Sequence, residues 1–522
     1  MNKKRFFQNA IMLIIITFLL RLVWTAFRVV VSNRVGAECM GLYQLTFAIY
    51  NISVTFATSG INFAATRLVT QAISSQKMSA RAVMHKCIAY SLLFGLAALL
   101  VIFSLAQPIG VHLLCDDRTI LSLKAFAISL PFISVSSAVS GYFYAVRNVG
   151  ITLFSRGFEQ AVQIAAFFAL MMLVPKGNLE LSCLAIVISA AISEVFSSIF
   201  LFLAYVLIAK KHKGSGDSKI WRKICSIALP SAAGAYLKSG LQTVESVLIP
   251  LGFRKYGASK GAALEGYGML CSMVMPVLFF PSFVLSSFSM LFIPEFTEAQ
   301  TLCREREIQK TSQFAIKLTL MFALFVSANF ICFGRELGEL LYSSSRAGAL
   351  IEIMAPIIPF MYLDSIADGM LKGLGEYNRV LAYSSIDTVV SIAMIYFIVP
   401  KAGLYGYIAV VYVSTMLNSF LSIRRLLVLS KNRIEFFGDI VFPFAIALTS
   451  ALFSKSFGNF LFPAQQDALS LTVLMFVSVT ALCIMILVSR GNIYKTFKAA
   501  FSILLPQSPK RHFSGKRCIK IP

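Results

Sequence analysis

Along this chain, predominantly apolar runs of about 20 to 30 residues alternate with short stretches that hold most of the charges. A bilayer crossing takes roughly 20 apolar residues in a helix, so each run is long enough to span. The pattern predicts helices near Asn9–Val31, Leu42–Thr66, Ala82–Ala106, Thr119–Tyr144, Thr152–Val174, Leu181–Ala209 and Ile224–Pro250. A second set follows near Leu264–Ile293, Thr311–Phe333, Ala347–Lys372, Val380–Val399, Leu404–Leu429, Phe436–Ser454 and Ala468–Ser489. The expected fold is an all-α polytopic membrane protein of about 14 transmembrane helices.

Composition agrees with the pattern. Of 522 residues, 58% are hydrophobic and 13% charged, and the mean hydropathy is +0.79. No polar stretch between the runs is long enough to fold as a domain of its own, which excludes a soluble enzyme or a separate nucleotide-binding domain. The net charge of +24 would suggest nucleic acid in a soluble protein. Here its distribution gives another reading. With the N-terminus inside, about three times as many Lys and Arg residues fall on the inner side as on the outer. The positive-inside rule then places both termini in the cytoplasm, and no nucleic-acid partner is required. The densest runs, Lys210–Lys223 and Lys510–Lys520, suit anionic lipid headgroups. The opening Met-Asn-Lys-Lys-Arg and its apolar run imitate a signal peptide, but no small-residue cleavage site follows, so it reads as a retained first helix. The ten cysteines and four histidines show no metal-ligand spacing, and no Walker or GxGxxG loop occurs. Neither a metal, a bound cofactor nor enzymatic catalysis is expected.

Comparing the chain with itself reveals a repeat. GYFYAVRNVGITLFSRGFEQAVQI from Gly141 overlays GMLKGLGEYNRVLAYSSIDTVVSI from Gly369, which sets Glu159 over Asp387. Both segments then reach Val-Pro-Lys, at Val174–Lys176 and Val399–Lys401. Two parallel six-helix lobes plus two C-terminal helices follow. The boundaries are an N-terminal lobe over 1–210, a basic cytoplasmic linker over 211–223, a C-terminal lobe over 224–430, the last two helices over 431–490 and a basic cytoplasmic tail over 491–522. Such a duplication is a transporter architecture with its substrate site between the halves.

Charges inside the spans mark the candidate site, because a charge at the bilayer centre costs about 2.5–3.5 kcal/mol or more and normally faces the bundle interior. Arg21 and Arg28 lie seven apart on the first helix, and Lys238 and Glu245 lie seven apart on the seventh. Seven residues turn a helix by about 700°, so each pair shares a face. Together they suggest a cavity with a cationic floor; simple pairing for packing is the competing reading. On the tenth helix Asp364 and Asp368, four apart beside Tyr362, are candidates for Na⁺ or H⁺ coupling, or else balance Lys372 and Arg379. Pro230, Pro250, Pro276 and Pro281 mark the seventh and eighth helices as able to bend.

At LLRLVWTAFRVVVSNRVGAECMGLY, SGINFAATRLVTQA, GYFYAVRN and DGMLKGLGEYN, and above all over Thr243–Ala299, the chain resembles a known family. It is similar to the stage V sporulation protein B branch of the multidrug, oligosaccharidyl-lipid and polysaccharide exporter superfamily, which is related to the lipid II flippases. The resemblance implies two lobes, with the last two helices beside a groove for a lipid tail. It also implies that Arg21, Arg28 and Lys238 face the central cavity. Lipid II flippases commonly carry arginines on helix two where this chain has Val54 and Thr55, so the substrate is kept broad.

The reading is a flippase of the bacterial plasma membrane, working by alternating access as a monomer in the phospholipid bilayer. It moves a lipid-linked (undecaprenyl-pyrophosphate) oligosaccharide or peptidoglycan precursor, with Arg21, Arg28, Lys238 and Glu245 at the head group. A cation-coupled multidrug antiporter and a non-transporting scaffold for envelope or spore assembly remain open.

Overall fold

A computed structural model describes residues 3–75, 79–175, 177–208, 220–283, 285 and 296–461. The fourteenth expected span (468–489), the tail over 491–522 and residues 211–219 of the linker lie outside them. Among the described residues every regular element is a helix. A lipid-exposed segment has no water for its backbone, and a helix satisfies every N–H and C=O within itself.

The helices are α1 (Lys3–Thr58), α2 (Ile61–Ser75), α3 (Ala80–Pro108), α4 (Thr119–Ala145), α5 (Val149–Met171), α6 (Leu179–Ile208) and α7 (Ile220–Lys255). Then come α8 (Lys260–Gly268), a π turn (Met269–Val274) and the short α9 (Met275–Phe279). The remainder are α10 (Glu305–Tyr342), α11 (Ser345–Met354), α12 (Ile358–Gly373), α13 (Tyr377–Ser430) and α14 (Phe442–Leu461). Nine helical stretches among the described residues are long and apolar enough to cross a membrane. Their outer faces carry large apolar side chains such as Leu93, Leu100, Leu207 and Phe420, which only lipid can accommodate in such number. The chain is a multi-pass membrane protein.

Glycine decides where the two longest helices divide. α1 turns at Gly36 (φ 82°, ψ 168°) and α13 at Gly403 (φ 56°, ψ −134°), conformations closed to most residues with a Cβ. These breaks separate the first from the second, and the eleventh from the twelfth, expected span. The second expected span, Leu42–Thr66, is itself interrupted. α1 ends at Thr58, and Ser59 and Gly60 take positive φ before α2 begins. α7 runs unbroken through Pro230 and Pro250, and the irregularity falls instead in the π turn just before Pro276. Neighbouring helices and local adjustments re-satisfy the groups a membrane proline frees, so proline alone does not break α7.

Two compact units emerge, one of residues 1–273 with 388–410, the other of residues 274–387 with the described residues from 411 onward. In the first unit, α2, α3, α4 and the start of α7 bury Ile61, Leu68, Val83, Tyr90, Phe143 and Ile224. A second cluster stacks Tyr50 of α1 on Phe126 of α4 with centroids 4.0 Å apart. Small polar residues tie the helices where backbones approach, as where Ser134 Oγ donates to the Ser91 carbonyl at 2.9 Å. In the second unit α10 packs on α11, α12 and α14, and Cys332, Phe333 and Ala451 are buried together. Tyr362 of α12 donates its hydroxyl to the Leu278 carbonyl at 2.7 Å.

Candidate functional site

The first segment of α1 carries Arg21 and Arg28, both half-buried. It leans on α5 through Phe27, whose ring meets Phe167 edge-on at 5.5 Å. Each residue advances a helix by about 1.5 Å, so Arg28 lies about 12 Å from the Gly36 break and Arg21 about 23 Å. On α7, Glu245 and Lys238 lie about 15 Å and 25 Å from Lys255 by the same measure. The four residues therefore occupy two levels, Arg28 with Glu245 nearer the Gly36 end and Arg21 with Lys238 deeper.

At the upper level the structure gathers a polar nest around the π turn. Ser391 of α13 donates its hydroxyl to Glu245 Oε1 at 2.6 Å. Gln44 of α1 donates through Nε2 to the Cys271 carbonyl at 3.4 Å. Arg28 lies within electrostatic reach of Tyr43 and Cys271, and Glu245 within reach of Cys271, Tyr267 and Tyr407. A π turn widens the helix by one residue per turn, and in the 269–274 stretch it sets Cys271 among these groups. Arg28 and Glu245 are both within electrostatic reach of Cys271. Lys238 is not part of this group; it stands exposed on α7 beside buried Ser239.

The second unit holds its own polar seam. Ser414, Asn418 and Ser422, each four residues from the next on the last segment of α13, face three carboxylates. Ser414 donates to Asp387 Oδ1 at 2.6 Å, Asn418 Nδ2 to Asp364 Oδ2 at 2.8 Å, and Ser422 to Asp368 Oδ1 at 3.5 Å. Asp368 also pairs with Lys372 at 3.5 Å, whereas Arg379 pairs with Glu376. Asp364 differs from both, because its Oδ1 is buried with no hydrogen-bond partner.

The overlaid acids Glu159 and Asp387 each accept from a serine, Ser197 of α6 at 3.4 Å and Ser414 at 2.6 Å, but Glu159 also pairs with Arg156 at 3.2 Å. Ser391, Gln44, Ser414, Asn418 and Ser422 are among the participants that the sequence did not single out. Apolar periodicity carries no information about which polar residues meet across helices. No group of three or more His, Cys, Asp or Glu that could hold a metal occurs among the described residues.

Residues 6–300 match a family described as polysaccharide biosynthesis protein. The chain is similar to stage V sporulation protein B of Bacillus subtilis (strain 168), with 23% identity over 505 residues, 94% of this chain and 96% of that protein. In fold it is similar to the lipid II flippase MurJ in an inward closed conformation, at a TM-score of 0.69 and 13% identity, covering 92% of this chain and 99% of that one. It is also similar in fold to an inward-facing multidrug resistance MATE family transporter of the MOP superfamily. There the TM-score is 0.62 at 14% identity, over 79% of this chain and 96% of the other.

Proposed function

The chain belongs to the polysaccharide biosynthesis protein family, and from that premise we propose that it is a flippase for a lipid-linked glycan. The observation that carries the reading is the pair of arginines on one face of the first helix, with Arg28 beside the polar nest at Cys271. A pyrophosphate head group leaving water needs fixed cations and donors, and Arg supplies two parallel hydrogen bonds in a rigid fork. Arg28 and Arg21 neutralise the pyrophosphate in turn, Lys238 receives it first from its exposed position, and Glu245, held by Ser391, orders the sugar-facing side.

The undecaprenyl tail stays in lipid beside the C-terminal helices while two lobes, helices one to six and seven to twelve, rock around the head group. The charge distribution supports both termini in the cytoplasm of a bacterium, and hence outward transport across the plasma membrane. An inside-negative potential helps a net negative cargo outward by about 2.3 kcal/mol per charge per 100 mV. The chain acts as a carrier rather than an enzyme, and as a monomer. Asp364, with its unpartnered oxygen, is the site at which Na⁺ or H⁺ couples to the cycle, with Asp368 as its neighbour.

That same oxygen is what favours the second reading, a cation-coupled antiporter. An organic cation would be repelled by Arg21 and Arg28, which sets this reading behind the first. The test is head-group translocation in proteoliposomes, with a fluorescent undecaprenyl-pyrophosphate saccharide set against an organic cation. Glycolipid movement that falls at least tenfold in Arg28→Ala supports the flippase, and movement of the cation alone overturns it.

A further inference from the structure

The head-group site leaves unused a set of charges at the Gly36 end of the first unit. Glu38 opens the second segment of α1, Asp116 and Arg118 sit in the turn between α3 and α4, and Lys260 is the first residue of α8. Arg118 reaches both acids, with Nη1 at 3.1 Å from Glu38 Oε1 and Nη2 at 2.8 Å from Asp116 Oδ2. Lys260 Nζ lies 3.2 Å from Asp116 Oδ1. The Asp116 side chain is 2% exposed, while its partners reach water. Two acids and two bases therefore close a neutral network around one buried carboxylate.

Directly beneath it the helices touch backbone to backbone. A Cβ at Gly41 would lie 2.0 Å from the Leu264 carbonyl oxygen, and one at Gly268 would lie 2.0 Å from that of Ala37. Beside the crossing, Leu45, Val247, Pro250 and Leu264 line a narrow cleft whose rim is formed by Asp116, Arg254 and Lys260. The seam joins α1, from the first copy of the repeat, to α8, from the second. Nothing passes between helices in such contact.

We propose that Glu38, Asp116, Arg118 and Lys260 form a charge latch that holds the α1–α8 seam shut and breaks when the head group leaves at this end. The inference rests on the alternating-access reading above. The physics suits a reversible catch. While dry, the buried carboxylate is held firmly, because removing its cations would leave an uncompensated charge. Once water enters, the same pairs become solvated surface ion pairs, which contribute little, so the open state meets no strong pull to close. The glycine crossing supplies the fit and the charges supply the switch.

The test follows the accessibility of the cleft rather than transport. A Leu45→Cys reporter in a Cys115→Ser background is exposed to a bulky polar maleimide with the full-length protein in lipid nanodiscs, and labelling at position 45 is read by mass spectrometry. Lys260→Gln and Asp116→Asn are expected to raise the labelling rate at least fivefold, and Lys260→Arg to leave it within twofold. Lys260 is half exposed at a helix start, so its variants keep the fold, which an unchanged melting temperature checks. Rates within twofold of the parent in both neutralised variants overturn the latch, as does an equal rise in Lys260→Arg or a reporter that never labels. Because labelling needs no substrate, a latch that responds while no lipid-linked glycan moves would sink the flippase reading and leave the latch standing.

Discussion

At the scale of single residues, what matters is whether a charge in or near the bilayer has a partner. Asp116 sits outside the spans, and two influences act on its carboxyl. Burial pushes its pKa up, but hydrogen bonds and attraction from Arg118 and then Lys260 outweigh burial and hold it below the ordinary carboxylate value. A carboxyl depressed in the folded state contributes stability above the unfolded value of about 3.9, and that contribution is lost as pH falls through the lower folded value. Thermal melts from pH 7 downward are therefore expected to show an acid-side loss of stability that Asp116→Asn shrinks; an unchanged acid limb would contradict the pairing. Asp364 poses the opposite case, a buried oxygen without a donor. Asp364→Asn is expected to abolish any Na⁺ or pH dependence of translocation while leaving head-group binding within a few-fold, measured in the same proteoliposomes. The acids themselves were legible in the sequence as intramembrane charges. That Asp368 is paired to Lys372 and Asp364 is left with a vacant acceptor was not, because residue type does not say which neighbour a side chain meets.

At the scale of elements, glycine plays two separate roles whose substitution costs differ. Gly36 has open space where a Cβ would go, so Gly36→Ala meets only the strain of a positive-φ, extended-ψ backbone that is essentially confined to glycine, a cost of about 1–3 kcal/mol with no helix displaced. Gly268→Ala would drive a Cβ into the Ala37 carbonyl oxygen and the Gly41 backbone, and two packed helices would have to part. Overpacking of this kind costs about 1–3 kcal/mol and often more. Melting temperatures are expected to fall further for Gly268→Ala than for Gly36→Ala, and the reverse order would argue against the crossing. Span positions were legible from apolar run length, since hydrocarbon thickness sets that length whatever the packing. Where a span breaks was less so: Gly36 and Gly403 turn, while Pro230 and Pro250 stay inside one helix.

At the scale of the whole molecule, orientation is carried by the basic residues. A thiol introduced as Asp117→Cys is expected to react with an impermeant reagent added to intact cells, and one introduced as Asn148→Cys only after the membrane is opened. The reverse pattern would invert the topology and with it the direction of transport. Sequence alone determined that the chain is helical and membrane-spanning. That follows from local quantities, namely hydropathy and run length. Tertiary structure alone decided that Ser391 meets Glu245, that Asn418 meets Asp364, and that Arg118 and Lys260 share Asp116. Lys260 and Asp116 are separated by more than 140 residues. Between segments that are equally apolar, hydropathy does not distinguish one neighbour from another, so only the packed chain fixes which polar atoms come within a hydrogen bond of each other.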